Sequence, residues 1–395
     1  MSRTRAVIAG IGETDLGTVK GVTEVGMCVD AATQALDDAG IALHDVDGLL
    51  CMPPFGTETP RYHMIVGESL GLFTKTMCDS LSMGGAAPCA ALQTAQWAVE
   101  SGLCRNVLVV TGERLRTGSS AAGGGTEVMA SVGAHSLNYE YPYGAHIPAF
   151  YGLLAQRYLH EYGRDPSDLA PVAVAMRRHA SLNPKAEKRT PISVADVMSS
   201  PTIASPLRRL DCSLVSDGGA AYVVSRQGAS ADPTREIDIL GLGQGHSAYH
   251  MGHLVRGDED HDLVRTVADV AGARAFSQAG LRPADIDVAQ IYDSFTITVM
   301  VQLEDLGFCA RGEAADFVAD GGIELGGNLP VNTHGGLLSC AHPGHPGGML
   351  HLNEAVRQLR GNAADRQVPG ARTSLVTSAS AVASNYSVAI LGAAS

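Results

Sequence analysis

The chain has 395 residues, 45% of them hydrophobic and 17% charged, with 46 glycines and a net charge of −13. That balance excludes a disordered or fibrous chain and favours a compact enzyme with many tight loops. No basic run of the kind that tracks phosphate backbones occurs, so nucleic acid is not an expected partner.

The eight cysteines are scattered without CxxC pairs, which points to free thiols in a reducing cytoplasm and away from a structural zinc or other metal site. The opening run MSRTRAVIAGIG enters a strand directly, without the apolar core of a secretory signal. No uninterrupted apolar stretch is long enough to span a bilayer.

Residues 6–10 read as a buried strand that ends in a Gly turn. Residues 24–40 carry apolar side chains at helical spacing and close on Gly40. A short strand follows at 46–51, then a glycine-led, alanine-rich helix at 83–102 and the strongly apolar strand NVLVVT at 106–111. This alternation predicts a mainly parallel sheet covered on both faces. Residues 114–146, rich in Gly, Ser, Tyr and Ala, read as a loop lying over a site. Helices return at 148–163 and 167–179, and PLRRLDCSLVSDGGAAYVVS at 206–225 leads through a Gly turn into another buried strand.

The second half repeats the first. Ala35, Ala39, Gly40, Asp45 and Asp47 fall on Ala275, Ala279, Gly280, Asp285 and Asp287 at one constant spacing. Helix, Ala-Gly cap, D-x-D turn and strand recur in the same order. Two α/β halves follow, 1–235 and 236–395, the first carrying a covering loop region at about 114–210. A pseudo-twofold between them brings two glycine-rich helix starts together at the centre, one near Gly85 and one near Gly344.

The strongest chemical signal is NTHGGLLSCAHPGHPGGM at 332–349, directly before a helical segment. Glycine lets backbone approach a ligand, a helix start offers unpaired N–H groups, and histidine titrates near neutral pH. Such a segment suits acid–base chemistry beside a developing anion.

With DGGAAYVV in mid-chain, YDSFTITVMVQLEDLGF at 292–308 and NTHGG near the end, the sequence resembles the thiolase superfamily over almost its whole length. It is most similar to the sterol-carrier-protein-type thiolases and their relatives, the phloroglucinol acetyltransferase subunit and the steroid side-chain-cleaving aldolases. The resemblance implies duplicated βαβαβαββ halves in a five-layered α-β-α-β-α structure. The histidine of the family's GHP loop matches His342, and its HDCF segment matches Tyr292-Asp293-Ser294-Phe295. The position of the nucleophilic cysteine falls on Gly85, so the thiolate that holds an acyl group in thiolysis is missing. Ser82, Cys89 and Cys340 are the alternative nucleophiles nearby.

The side-chain aldolases of the superfamily likewise lack the cysteine and keep a tyrosine in a YD-x-F segment. The resemblance therefore implies retro-aldol cleavage of a 3-hydroxyacyl-CoA thioester, a steroid or other branched side chain, with coenzyme A thioester as substrate and no covalently bound cofactor. Tyr292 and His342 are the expected catalytic pair, and either serves as the base. Gly85, Asp293, His345, Ser339 and His334 are expected around them, and Arg114, Arg178 and Lys185 are expected at the CoA phosphates. The resemblance also implies a homodimer and a small OB-fold partner with a zinc ribbon, together a heterotetramer. An acyltransferase with another nucleophile and a non-catalytic acyl-CoA-binding subunit are the competing readings.

Overall fold

The structure is a computed structural model that describes residues 4–55, 59, 61–73, 75–118, 146–247, 264–380 and 382–394. Most of the loop expected at 114–146 lies outside the described residues.

The first half contains β1 (Ala6–Glu13), α1 (Glu24–Ala39), β2 (Gly48–Met52), α2 (Tyr62–Leu70), β3 (Met77–Ser80), α3 (Ala87–Glu100) and β4 (Asn106–Arg114). The covering region then supplies α4 (Ile147–Tyr162), α5 (Ala170–Ser181), α6 (Val194–Ser199) and a small ribbon of β5 (Thr202–Ala204) and β6 (Leu207–Arg208), before β7 (Asp217–Arg226) closes the half. The second half runs β8 (Ile237–His246), α7 (Ala268–Ala279), β9 (Val288–Gln290), α8 (Thr296–Asp305), α9 (Ala314–Ala319), α10 (His345–Leu359), β10 (Thr373–Ser380) and β11 (Asn385–Ala393).

The strands lie in the order β3-β2-β4-β7-β1 and then β8-β11-β10-β9. The two sets touch edge to edge only at Val7–Asp238 and Ile8–Ile237. They wrap around α3 and α10, each of which packs on strands of both halves, while α1 covers the first set and α7 the second. The layers are therefore α-β-α-β-α, with α3 and α10 in the middle.

The sheet is mixed, not mainly parallel. β2 runs parallel to β3 and β4, and β9 parallel to β10, but β7 and β11 run antiparallel to both their neighbours. An apolar run shows that a strand is buried and says nothing of its direction. Connection length decides that: the short turn between β10 and β11 leaves room only for an antiparallel return.

The repeat is physical at three of the matched pairs, Ala35/Ala275, Gly40/Gly280 and Asp47/Asp287. A Cβ on Gly10 or Gly12 would lie 2.2 or 2.1 Å from the carbonyls of Ala35 or Ala31 in α1. A Cβ on Gly241 or Gly243 would lie 2.1 or 2.0 Å from those of Ala275 or Ala271 in α7. In each half, helix backbone thus rests on strand backbone, and only Gly facing Ala permits it. Gly40 and Gly280 end α1 and α7 with φ of 62° and 67°. Asp47 accepts from the N–H groups of Arg105 and Asn106 at 2.9 and 3.0 Å. Its counterpart Asp287 accepts from those of Arg372 and Thr373 at 2.8 and 2.9 Å.

Candidate active site

The two glycine-rich helix starts meet. Gly85 sits in a tight turn, Gly84–Ala86, that feeds α3, and its carbonyl lies 2.9 Å from where a Cβ on Gly348 of α10 would be. A Cβ on Gly85 itself would fall 2.4 Å from Tyr292 Oη, 2.7 Å from Tyr292 Cζ and 2.4 Å from the carbonyl of Ala379. The tyrosine ring thus fills the space that a nucleophilic side chain would need. Tyr292 Oη is 3.1 Å from His342 Nε2, and His342 Nδ1 is 2.8 Å from Ser213 Oγ.

The loop 213–216 and the His342 segment hold each other. Ser216 N–H donates to the His342 carbonyl at 3.1 Å, and His342 N–H donates to Ser216 Oγ at 3.0 Å. Leu214 N–H donates to the Leu337 carbonyl at 3.1 Å. His342 is thereby fixed before any ligand arrives.

Both members of the pair are buried and uncharged. Burial, assisted by Tyr151 and the carboxylates of Asp293 and Glu113, pushes the Tyr292 hydroxyl far above its ordinary range. Burial, followed by neighbouring His351, lowers His342 to about 4, with the Leu214 backbone pulling weakly the other way. At neutral pH the imidazole is a free base that faces a phenol.

The alternative nucleophiles sit in unsuitable places. Ser82 is exposed. Cys89 Sγ lies 3.2 Å from Ser378 Oγ, and burial pushes its thiol up to about 12. Burial raises the Cys340 thiol as well. Neither is a thiolate at neutral pH.

The other expected site residues divide by location. Asp293, fully buried, caps the one-turn helical segment Gly336–Cys340: it accepts from Leu337 N–H at 2.7 Å and Leu338 N–H at 3.3 Å. His351 Nε2 approaches Asp293 Oδ1 to 3.3 Å without hydrogen-bonding alignment. His345 starts α10, stacks on Phe55 with ring centroids 4.1 Å apart, and places Nδ1 3.3 Å from Glu113 Oε2. Ser339 lies elsewhere, accepting from Arg177 Nε at 2.9 Å. His334 stands edge-on to His351, centroids 5.0 Å apart, on the wall of a separate cavity. Of the expected phosphate contacts, Arg114 Nε donates to Thr117 Oγ1 at 3.0 Å, Arg178 pairs with Glu324, and Lys185 shares the cavity with His334.

Ser213, Glu113 and Phe55 belong to this region and escaped the sequence reading. Ser213 and Glu113 lie 129 and 232 residues from the histidines they meet, and no local pattern marks them.

Fold and site together define a thiolase-type α/β protein with glycine at the nucleophile position. The description "Thiolase C-terminal domain-like" matches residues 235–393. The chain is 37% identical over 385 residues to the 17-hydroxy-3-oxo-4-pregnene-20-carboxyl-CoA lyase of Mycobacterium tuberculosis, a match that covers 96% of this chain and 97% of that protein. It is 38% identical to the steroid side-chain-cleaving aldolase of Thermomonospora curvata, over 95% of this chain and 94% of that one. The solved structure of the Ltp2-ChsH2(DUF35) aldolase superposes with a TM-score of 0.86 at 36% identity, covering 98% of each chain. The chain belongs to the thiolase superfamily, in its branch of steroid side-chain-cleaving aldolases.

Proposed function

We propose that this protein is a carbon–carbon lyase that cleaves a 3-hydroxyacyl-CoA thioester by a retro-aldol reaction, with no acyl group held on cysteine. The observation that carries the reading is the Tyr292 hydroxyl, which takes the place of a side chain at position 85 and lies 3.1 Å from His342 Nε2.

The proton path follows from that contact. With Nδ1–H turned to Ser213 Oγ, His342 Nε2 accepts from the Tyr292 hydroxyl. Tyr292 takes the proton of the substrate's β-hydroxyl as its own proton passes to His342. The Cα–Cβ bond breaks, the β-carbon becomes a ketone, and the electron pair enters the thioester as an enolate. The proton then returns through Tyr292 to Cα, so no net proton is consumed. Backbone N–H groups of the Gly85 turn receive the enolate oxygen, as donors placed ahead of the charge that develops there. Acid–base help of this kind is worth about 10²–10⁴-fold. The products are a ketone and a short acyl-CoA.

The names of the Mycobacterium and Thermomonospora relatives support a steroid side chain as the group cleaved. Arg114 and Arg178 are the cations we assign to the CoA phosphates. The two-component name of the Ltp2-ChsH2(DUF35) aldolase supports a partner protein, which we propose to be a small OB-fold, zinc-ribbon chain. A homodimer is supported by β3, which ends the described sheet with one unpaired edge beside exposed Met64, Ile65 and Phe73. No helix among the described residues is long and apolar enough to cross a membrane, and all eight cysteines are free, which supports a reducing cytoplasm.

The test is turnover of a panel of branched 3-hydroxyacyl-CoAs, with the partner protein present, read as release of ketone plus acetyl- or propionyl-CoA. Tyr292→Phe is expected to retain thioester binding and lose about 10²–10⁴-fold in kcat. Unchanged kcat in that variant rejects the assignment.

A further inference from the structure

Tyr292 stands where regular structure has ended. The ladder between β9 and β10 stops at the pair Gln290–Val376, and α8 begins only at Thr296. The main chain that carries the catalytic hydroxyl thus lies outside both strand and helix, yet Ile291 and Tyr292 are buried. Buried main-chain groups must find partners, so their bonds can be traced one at a time.

Side chains supply those partners. Ile291 N–H donates to Asn332 Oδ1, and Asn332 Nδ2 donates back to the Ile291 carbonyl, both at 2.7 Å. Asn332 does this from a left-handed backbone with φ of 52°, a conformation that asparagine tolerates better than most residues. One residue on, Tyr292 N–H donates to Thr377 Oγ1 at 2.8 Å. Thr377 Oγ1 donates to Gln302 Oε1 at 2.7 Å, and Gln302 Nε2 donates to the Tyr292 carbonyl at 2.9 Å. The three bonds form a closed cycle that starts and ends on Tyr292.

The cycle runs in one direction only. A hydroxyl has a single proton, so Thr377, having accepted from an N–H, gives its own to Gln302. The Gln302 amide cannot be reversed either. Its nitrogen also donates to the Thr298 carbonyl at 2.7 Å, and two carbonyls cannot both face an oxygen. Thr377 and Gln302 are fully buried, where a broken bond leaves a desolvated polar group. The cycle grips the main chain of Tyr292 and leaves its hydroxyl to His342 Nε2, 3.1 Å away.

We propose, building on the part assigned to Tyr292 above, that Thr377 and Gln302 are positioning residues for the lyase reaction. Their cycle holds the Tyr292 main chain so that the phenol stays within reach of His342. Asn332 fixes the preceding residue and strengthens the same hold. β10, α8 and the segment at Asn332 thus converge on one residue and place the phenol before substrate binds. A catalytic group misplaced by about 1 Å loses about 10²-fold in rate.

The experiment compares Thr377→Val, which keeps the shape and removes the hydroxyl, with Thr377→Ser, which keeps the hydroxyl. Both are made in the full-length protein, with urea midpoints confirming that each is folded. The first arm is hydrogen exchange read by mass spectrometry, with fragmentation that resolves the Tyr292 amide. That amide is expected to exchange about tenfold faster in Thr377→Val, the effect of one lost buried bond, and near the wild-type rate in Thr377→Ser. The second arm is turnover of 3-hydroxyacyl-CoAs with the partner protein present. Thr377→Val is expected to lower kcat by about 10–10²-fold with KM unchanged, and Thr377→Ser to restore most of it. In a Tyr292→Phe background, Thr377→Val is expected to cause no further loss. An equal loss in that background, wild-type kcat in Thr377→Val, or unchanged exchange at Tyr292 overturns the proposal. If the wild-type protein releases no ketone, the lyase reading fails, and the exchange arm alone judges whether the cycle holds Tyr292. Gln302→Met opens the same cycle and replaces Thr377→Val, with the same expectations, if that variant does not fold.

Discussion

Gly85→Ala is a one-carbon perturbation with a consequence that can be worked from the coordinates. The new Cβ would lie 2.4 Å from the Ala379 carbonyl and 2.4 and 2.7 Å from Oη and Cζ of Tyr292. The carbonyl belongs to β10, where Ala379 pairs with Tyr386 of β11, so the tyrosine ring is the more yielding neighbour. The tyrosine ring must therefore retreat by roughly 1 Å to reach ordinary contact, and overpacking of this kind costs about 1–3 kcal/mol. Misplacing a catalytic group by that distance lowers kcat by about 10²-fold. Both losses share one cause, so removing the ring should relieve part of the strain. Gly85→Ala/Tyr292→Ala is expected to be destabilised by less than the two single variants combined, with a coupling of about 0.5–3 kcal/mol. Urea unfolding of the four proteins measures the coupling, and steady-state turnover measures the loss in kcat. Wild-type stability and turnover in Gly85→Ala would refute the claim that Tyr292 has taken the nucleophile's space.

Four further outcomes are expected. His342 is held at about 4 by burial, so kcat should stay level from pH 7 to pH 5 and fall only toward pH 4; a half-maximal point near 6.5 would contradict this. The same depressed value makes the unfolded chain bind more protons than the native one between pH 6.5 and 4, and His179, also lowered to about 4 by burial, adds to it. Stability should therefore drop as pH falls through that window, by at most roughly 3 kcal/mol for each histidine, as read from urea midpoints at pH 7 and 4.5. Gly344→Ala would put a Cβ 2.3 Å from Glu113 Oε2 at a φ of 78°, and should lower stability by roughly 1–3 kcal/mol in thermal unfolding. Cys89→Ser and Cys340→Ser should each retain turnover within a few-fold, since both thiols stay protonated at neutral pH.

The parts of the fold that were legible in the sequence are those where physics demands a residue type at each copy. Backbone contact between helix and strand keeps Ala35 and Ala275 against glycine, the left-handed helix ends keep Gly40 and Gly280, and the turns before β2 and β9 keep the carboxylates of Asp47 and Asp287. Strand direction was not legible, because burial on both faces gives the same apolar run either way. β3 escaped because MCDS is short, half exposed and at the sheet edge. α8 escaped because TITVMVQLED is rich in β-branched residues; complete burial overrides that preference. In the site, the motif segments marked Gly85, Tyr292 and His342. Ser213 and Glu113 escaped because each acts through a partner brought near only by the fold.

The most direct test is intact-protein mass spectrometry of the enzyme quenched during turnover of a 3-hydroxyacyl-CoA, with ketone and short acyl-CoA quantified in the same samples. Equal amounts of the two products and an unmodified protein mass are the expected result. A thioester adduct that forms and decays at the rate of turnover would contradict the non-covalent role assigned to Tyr292 and His342.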